Sequence, residues 1–524
     1  MQEKTAKGMI PFHPLLFALY APIALLASNI LQIRPVDSIR SIVTFFFLGA
    51  LVYLLFRIKL KDWTRAAIFS SVLILLFISY GQVYTALNPV VILGDTLGRH
   101  RYLVPAWIVI SALAFWGVSR LRKNLVAISN VMNIISIALI VLPVYQLISN
   151  TIMTLQNEKT NAASVSTITL NGQNTAIEKP DVYYIILDMY GRDDVLQDRF
   201  QYDNSEFLKS LEGLGFVVTR CSVSNYNMTE LSLASSFNMN YLDALGSQYT
   251  AGNSDRSGLP SLIHHSAVRK IFENMGYRFI NFETGFTFTE IRDADEFLVP
   301  PDSDPETGKT LSKLNGFESL LIKTTAIVIV SDAQTKWLYP ITDALDMRRE
   351  HIVREMYLLD KLPKLAAEKS PKFVYAHILI PHPPFVFTKN GVDLTLPTSY
   401  GPDDGGPAAT KDYAVGYRHQ LDYINLRLIP ILEEIIDNSK TPPVIIVQGD
   451  HGVDPKRSFI LNAYYLPGGN KDVVWQTISP VNTFRVVYNT YFQEKFNILP
   501  DINYASKAKR PYDYEVNKNK RICQ

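Results

Sequence analysis

The segment Val444 to Gly452, VIIVQGDHG, is an apolar run that stops at Asp450 and His451, and upstream DVYYIILDMYGR ends a matching run at Asp188. Such runs read as strands buried on both faces. Polar residues just past the carboxyl ends of these strands line the crevice where ligands bind in an open α/β sheet. Asp188, Asp450 and His451 are therefore three candidate metal ligands. Two carboxylates about 4 Å apart repel by roughly 4 kcal/mol at an effective dielectric of 20, so bringing them together calls for a cation. A third element, NYNMTELSLASSFNMNYL from Asn225 to Leu242, reads as a loop feeding a helix with Thr229 at its mouth. A threonine hydroxyl at a helix amino terminus beside a divalent cation loses its proton more readily than in water and can attack phosphorus or sulfur. The competing reading of Thr229 is an ordinary helix cap ahead of the SLASS run.

His377 and His382 flank ILIP in AHILIPHPPF, one inside an expected strand and the other just past its end. A histidine within a strand is usually a hydrogen-bonded structural residue, the reading preferred for His377 over substrate contact. His382, at the rim, is the candidate for proton transfer. Arg192, four residues past Asp188, could clamp a phosphate or sulfate with its planar fork or form a surface ion pair. His264, His265, His351 and His419 belong to no pattern and are expected on the surface or in helices. Thr325 to Asp332, TAIVIVSD, also ends an apolar run in aspartate, but it has no neighbouring histidine or nucleophile, so Asp332 is read as structural. The flanking residues suit a helix packed on the domain or touching a membrane face.

These residues need elements to hold them. Candidate strands are Val182 to Leu187, Tyr277 to Phe282, Phe373 to Ile378 and Val444 to Gln448, separated by helical patterns such as Asn204 to Leu214 and Tyr417 to Ile436. Strands alternating with helices predict a mainly parallel sheet sandwiched by helices, here over residues 180–505. Residues 151–179 are rich in Asn, Thr and Ser and read as a linker, partly strand-like at Val165 to Leu170. Residues 506–524, with Lys507, Lys509, Arg510, Lys518, Lys520 and Arg521, read as a solvated basic tail.

Hydrophobic residues make up 48% of the 524 and charged residues 19%, with the apolar excess in front. Five apolar stretches, near 11–33, 40–57, 66–86, 102–119 and 125–148, each approach the length needed to cross a hydrocarbon core of roughly 30 Å, the second and fourth being the shortest. Residues 1–150 thus read as an α-helical membrane anchor. The most basic short loops, Arg57 to Arg65 and Arg120 to Lys123, fall on one side with Lys4 and Lys7. The positive-inside rule then puts the amino terminus in the cytoplasm and everything after residue 150 outside. The first stretch lacks a small-residue cleavage site and further spans follow it, so no cleaved signal is expected.

A net charge of +2 gives no reason to expect a nucleic-acid partner. Cys221 and Cys523 are too few for a disulfide framework or a cysteine zinc site, and a bridge between them is left open.

Asp188 after a strand, Thr229 in NYNMT ahead of SLASS, HPPF at His382 to Phe385 and GDHG at Gly449 to Gly452 stand in an order that resembles the sulfatase branch of the alkaline phosphatase superfamily. The resemblance covers roughly residues 180 to 500 and includes ISPVNTFR, Ile478 to Arg485. Membrane-anchored phosphoglycerol and phosphoethanolamine transferases of that superfamily share the plan of about five spans followed by an outward catalytic domain. The resemblance implies an alkaline-phosphatase-like α/β fold in which Asp188, Asp450 and His451 hold a metal, Thr229 is both ligand and nucleophile, and His382 meets the leaving group or substrate oxygen. Two departures are informative. Typical sulfatases carry adjacent aspartates after the first strand and a C-x-P-S-R motif, whereas here Met189 follows Asp188 and Cys221 opens CSVSN, which disfavours sulfate ester hydrolysis by that route. The transferases usually carry Glu where this chain has Asp188. No histidine follows His451, so one divalent ion (Mn, Zn, Mg or Ca) is expected rather than two. The implied substrate is a membrane lipid or a lipid-linked or envelope glycan, in transfer or hydrolysis of a phosphoryl-type ester. The alternatives are a sulfuric ester hydrolase and a non-catalytic envelope scaffold that retains the fold.

Overall fold

The structure, a computed structural model, describes residues 9–30, 33–87, 90–92, 95–121, 124–165, 179–301, 314–332, 348–396, 411–468 and 471–516. It divides into two units, one of residues 1–152 with 311–347 and one of residues 153–310 with 348–524.

The first unit is helical: α1 (His13–Ser28), α2 (Pro35–Leu60), α3 (Trp63–Leu87), α4 (His100–Arg120) and α5 (Leu125–Val165). All five expected stretches are helices. Four of them, α2 to α5, are long and apolar enough to cross a membrane, and the short one is α1, at 16 residues, rather than the second or fourth. The apolar window of α3 is 56% buried, against 17%, 11% and 17% for α2, α4 and α5, so α3 is the hub. The outer helices leave Leu54, Leu55, Ile108, Leu113, Ile134 and Val141 exposed, as an apolar solvent allows. Gly49 of α2 lets α1 approach closely, since a Cβ there would lie 2.6 Å from that of Ala18. The expected linker is overtaken at its start, because α5 runs through 151–165. Val165 ends that helix, and the rest of the strand-like stretch lies outside the described residues.

The catalytic stretch expected at 180–505 is not continuous in space, since residues 311–347 belong with the helices. A helix at Gly316–Thr324 leads into TAIVIVSD, which forms a single turn at Val328–Ser331 where it could equally have been a strand. Asp332 is structural, accepting hydrogen bonds from Tyr84 (3.1 Å) and pairing with His100 Nε2 (3.2 Å).

The second unit is built on a seven-stranded sheet. Its strands are β1 (Val182–Leu187), β2 (Val217–Val218), β3 (Arg278–Phe282), β4 (Glu296–Leu298), β5 (Lys372–Ile378), β6 (Val444–Gly449) and β7 (Asn462–Tyr465). Their spatial order is β2-β7-β6-β1-β5-β3-β4, parallel from β6 through β4 and antiparallel at β7 and β2. The helices that matter to the site are α6 (Asp193–Phe200), α7 (Ser205–Gly213), α8 (Thr229–Phe237), α9 (Arg348–Lys361), α10 (Lys411–Asn438) and α11 (Pro480–Tyr491). Side chains alternate across a strand, so each central strand feeds two cores. Tyr183, Ile185, Leu187, Val374, Ala376, Ile445 and Val447 join one core with α7 and α10. Val182, Tyr184, Ile186, Phe373, Tyr375, Val444 and Ile446 join the other with α8 and α11. Burial on both faces is why these strands read as unbroken apolar runs.

The expected basic tail begins as a hairpin, β8 (Tyr504–Lys507) and β9 (Arg510–Val516), while Lys518, Lys520 and Arg521 lie outside the described residues. Tyr512 is fully buried, so burial of tyrosine rather than charge determines the structure here.

Candidate metal and nucleophile site

Strand register builds the site. Leu187 pairs with Gly449 and with Ile378, so β6, β1 and β5 end at one level and Asp188 and Asp450 leave the sheet side by side. The period of two then places Asp188, Asp450 and His377 on the face covered by α8. Met189 takes a left-handed backbone (φ 63°), costly for a residue with a side chain, which buries that side chain in the opposite core. Its N–H donates to Asp450 Oδ1 (3.1 Å), and its carbonyl accepts from the Tyr417 hydroxyl (2.8 Å). The place of a second aspartate is thereby given to a residue that fixes the backbone. Gly452 permits the loop to fold back, since a Cβ there would overlap the Phe459 carbonyl.

Asp188, Asp450 and His451 converge, one ligand atom from each lying within 4.8 Å of the others. His451 Nε2 is 3.9 Å from Asp188 Oδ1 and 3.7 Å from Asp450 Oδ2, and both carboxylate oxygens are buried with no hydrogen-bond partner. His451 Nδ1 lies 2.8 Å from the Gly452 carbonyl, which can only accept, so the proton sits on Nδ1 and the Nε2 lone pair faces the carboxylates. Two orphaned anionic oxygens and one imidazole lone pair form a donor set suited to a divalent cation. Burial raises Asp188, but His382, His377 and His451 around it outweigh that and hold it below the ordinary carboxylate range. Burial and the charge of Asp188 push Asp450 up instead. The two carboxyls are thus pushed in opposite directions, and a cation between them would favour the charged form of both.

Thr229 opens α8, and its hydroxyl lies 3.2 Å from His451 Nε2. The helix-cap reading does not hold: the N-cap is Met228, with no side-chain cap bond. Ser232, one turn on, donates to the Asp450 carbonyl (2.7 Å) and ties α8 to the ligand loop.

His377 joins the site through Asp188. Its Nε2 meets Asp188 Oδ2 at 3.1 Å and its Nδ1 meets the Tyr375 hydroxyl at 3.2 Å, an arrangement that orients the carboxylate and leaves Oδ1 facing His451. His382 is 6% exposed on the loop after β5, with Nδ1 donating to the Pro383 carbonyl and the Phe286 ring 6.3 Å away edge-on. The fork of Arg192 is engaged by Asp194 through two 2.8 Å bonds, the ion-pair alternative, and lies 4.4 Å from the Phe459 ring centroid. Cys221 is disulfide-bonded rather than a free thiol, and Cys523 lies outside the described residues.

Three residues were not singled out by pattern. Arg457 brings Nη2 to 3.0 Å from His451 Nε2 and donates through Nε to the Asn227 carbonyl (2.9 Å), linking the loop of His451 to the residues before Thr229. The only hint of it was a cation six residues past His451 in the same loop. On α9, Glu355 is buried and accepts from the Leu379 N–H (3.1 Å), gripping the loop that carries His382. His351, expected at the surface or in a helix, is helical and buried, with no partner at Nε2.

No family model matches the chain, and no curated protein does. Among solved structures the chain is similar to the C-terminal periplasmic domain of EcEptC from Escherichia coli in complex with Zn, with 10% identity, 64% of this chain and 92% of that one covered, and a TM-score of 0.38. It is similar to the integral membrane protein lipooligosaccharide phosphoethanolamine transferase A (EptA) from Neisseria meningitidis, with 11% identity, coverage of 91% and 93%, and a TM-score of 0.37. A putative sulfatase from Bacteroides thetaiotaomicron shares 11% identity over 63% of this chain and 78% of that one, with a TM-score of 0.37. Structural neighbours of this chain are thus phosphoethanolamine transferases and sulfatases, and at these identities and scores the likeness is one of fold alone.

Proposed function

We propose that the second unit is a metal-dependent enzyme of the sulfatase-like kind that transfers or hydrolyses a phosphoryl-type ester, carrying a phosphoglycerol- or phosphoethanolamine-like group on an envelope or lipid-linked substrate. The observation that carries this reading is the Thr229 hydroxyl 3.2 Å from His451 Nε2, beside two carboxylate oxygens with no partner. Asp188, Asp450 and His451 would hold the cation with Thr229 beside it. When bound, the cation offsets charge on the transferring group and eases loss of the hydroxyl proton. Thr229 Oγ1 loses its proton to solvent and forms a bond to phosphorus as the ester P–O bond breaks. His382 gives a proton to the departing oxygen. It then takes one from the acceptor hydroxyl, which attacks phosphorus and releases Thr229. Water as acceptor makes the enzyme a hydrolase, and a glycan or lipid hydroxyl makes it a transferase.

The same reading puts the amino terminus in the cytoplasm, the catalytic unit outside the membrane, and the site where lipid-linked substrates are concentrated. The test is to incubate full-length protein in membranes with radiolabelled phospholipids, map the label, and measure bound metal. Label on Thr229, lost in Thr229→Ala with turnover down by about 1,000-fold or more while metal is retained, is the expected result. Absence of both metal and label from the wild-type protein would instead mean a scaffold that keeps only the fold.

A further inference from the structure

We infer that residues 314–332 re-enter the membrane, descending from one rim of the helical unit to mid-depth and returning, with lipid acyl chains against Ile327 and Val330. The inference rests on the reading that α2 to α5 span a bilayer. Three groups of contacts trace the path. At the start, the side-chain amide of Asn315 donates to the carbonyl of Asp37 (2.8 Å), the third residue of α2, and Arg40 forms a two-point pair with Glu318. In the middle, Phe317 and Leu321 pack with Leu26 and Phe45, with Phe77 against them, and the Ala326 N–H donates to the Phe77 carbonyl (2.9 Å). At the end, Asp332 meets Tyr84 and His100, and His100 is the first residue of α4.

Helix geometry converts these contacts into depth. Phe45 lies ten residues past Pro35, and Phe77 lies ten residues before Leu87, at the same end of the antiparallel pair α2 and α3. At 1.5 Å per residue each is about 15 Å from that end, roughly half the thickness of a hydrocarbon core. Irregular backbone is tolerated at such depth only where its polar groups are satisfied and protein surrounds it. At that depth the Ala326 N–H is met by the Phe77 carbonyl (2.9 Å) and the Thr325 N–H by the Ile322 carbonyl (3.3 Å), and at the rim a capping box serves the helix start, with Asn315 Oδ1 accepting from Glu318 N (2.9 Å) and Glu318 Oε2 accepting from Asn315 N (3.0 Å). Gly81 meets the second: a Cβ on it would overlap Lys323 O and Thr324 C and lie 2.7 Å from Thr325 N, so α3 accepts the passing chain only because this residue has no side chain. The acidic groups remain near the rim, Glu318 with Arg40 and Asp332 with His100, where a charge costs less than at the centre.

The experiment uses full-length protein in vesicles of phosphatidylcholine bearing a diazirine in mid-chain, with photo-adducts mapped by mass spectrometry. Adducts on α2, on α4 and on 316–332, with none on α10, are expected. Adducts on α2 and α4 without any on 316–332 would overturn the inference while leaving the membrane reading intact, whereas none on α2 or α4 would remove that reading. Gly81→Ala should lower labelling of 316–332 by about threefold or more and speed its amide exchange. Unchanged labelling and exchange in that variant would show that the segment is not seated on α3.

Discussion

At the scale of single residues, burial changes the chemistry of the Glu355 carboxyl strongly. Burial pushes it from the usual glutamate value up to about 8; the charge of Asp188 adds to the rise, while Arg354, the Leu379 N–H and His382 pull the other way. A carboxyl whose folded pKa is raised contributes stability that is complete below about 4.5 and is lost as pH rises through about 8, because the folded state holds a proton that the unfolded chain has released. Chelated full-length protein in detergent should therefore lose on the order of 2 to 5 kcal/mol of stability between pH 5 and pH 9 relative to Glu355→Gln. Thermal unfolding of both across that window is the check, and parallel curves would remove the assignment. Sequence pattern alone does not reveal Glu355, since a glutamate in a helix is ordinarily solvated. It did reveal Asp188, Asp450 and His451, because a polar residue ending a long apolar run stands out and the strand register turns that pattern into proximity. His377 was legible as a hydrogen-bonded strand residue, but its partner was not. Parity along β5 puts it on the same face as Asp188, but only the register between β5 and β1 shows that it reaches that carboxylate.

At the scale of elements, the hairpin β8–β9 holds the loop that presents Thr229. Tyr504 N donates to the Asn225 carbonyl (2.8 Å), and the Asn227 side chain pairs at both ends with the backbone of Ser506, Nδ2 donating at 3.0 Å and Oδ1 accepting at 3.1 Å. Tyr226 stacks on Tyr504 with centroids 5.6 Å apart. Asn227→Ala removes both side-chain bonds and leaves the Ser506 backbone groups without that partner, at a cost of about 1 to 3 kcal/mol. On the proposed function, the expected kinetic result is a fall in kcat with KM and metal content unchanged, because Asp188, Asp450 and His451 stand on other loops and only Thr229 loses its support. Loss of metal together with activity would mean that the variant disrupts the whole site. The hairpin was misread as a solvated tail because lysines and arginines dominate its composition, although the alternation of Tyr512 and Tyr514 was the signal of a strand with a buried face. The strands β1, β5 and β6 were legible to within a residue or so because burial on both faces leaves no polar interruption. The run at 325–332 was ambiguous for the same reason, since an apolar stretch of eight residues suits a buried strand or a segment packed among apolar helices equally well.

At the scale of the whole molecule, the chain crosses between its two units more often than a plan of helices, linker and one following domain allows, because residues 311–347 leave the second unit and join the helices. That has a direct consequence for any attempt to isolate the second unit. Phe317, Leu321 and Val328 are 1%, 3% and 5% exposed, and the buried apolar partners outside the segment, Leu26, Ile33, Phe45, Tyr80 and Leu103, all come from the first 152 residues. A fragment of residues 180–524 retains the segment and discards what covers it. Re-exposing three such side chains forgoes roughly 5 to 9 kcal/mol of burial and leaves a contiguous apolar patch that favours self-association. The fragment should elute as large aggregates or require detergent, whereas the same fragment with 314–332 replaced by a Gly/Ser linker of equal length should be a monomer that binds metal as the full chain does. Size-exclusion chromatography with light scattering distinguishes the two. A monodisperse, detergent-free 180–524 fragment would mean that the segment finds cover within the catalytic unit once the helices are gone, and that its place among them is a preference rather than a requirement.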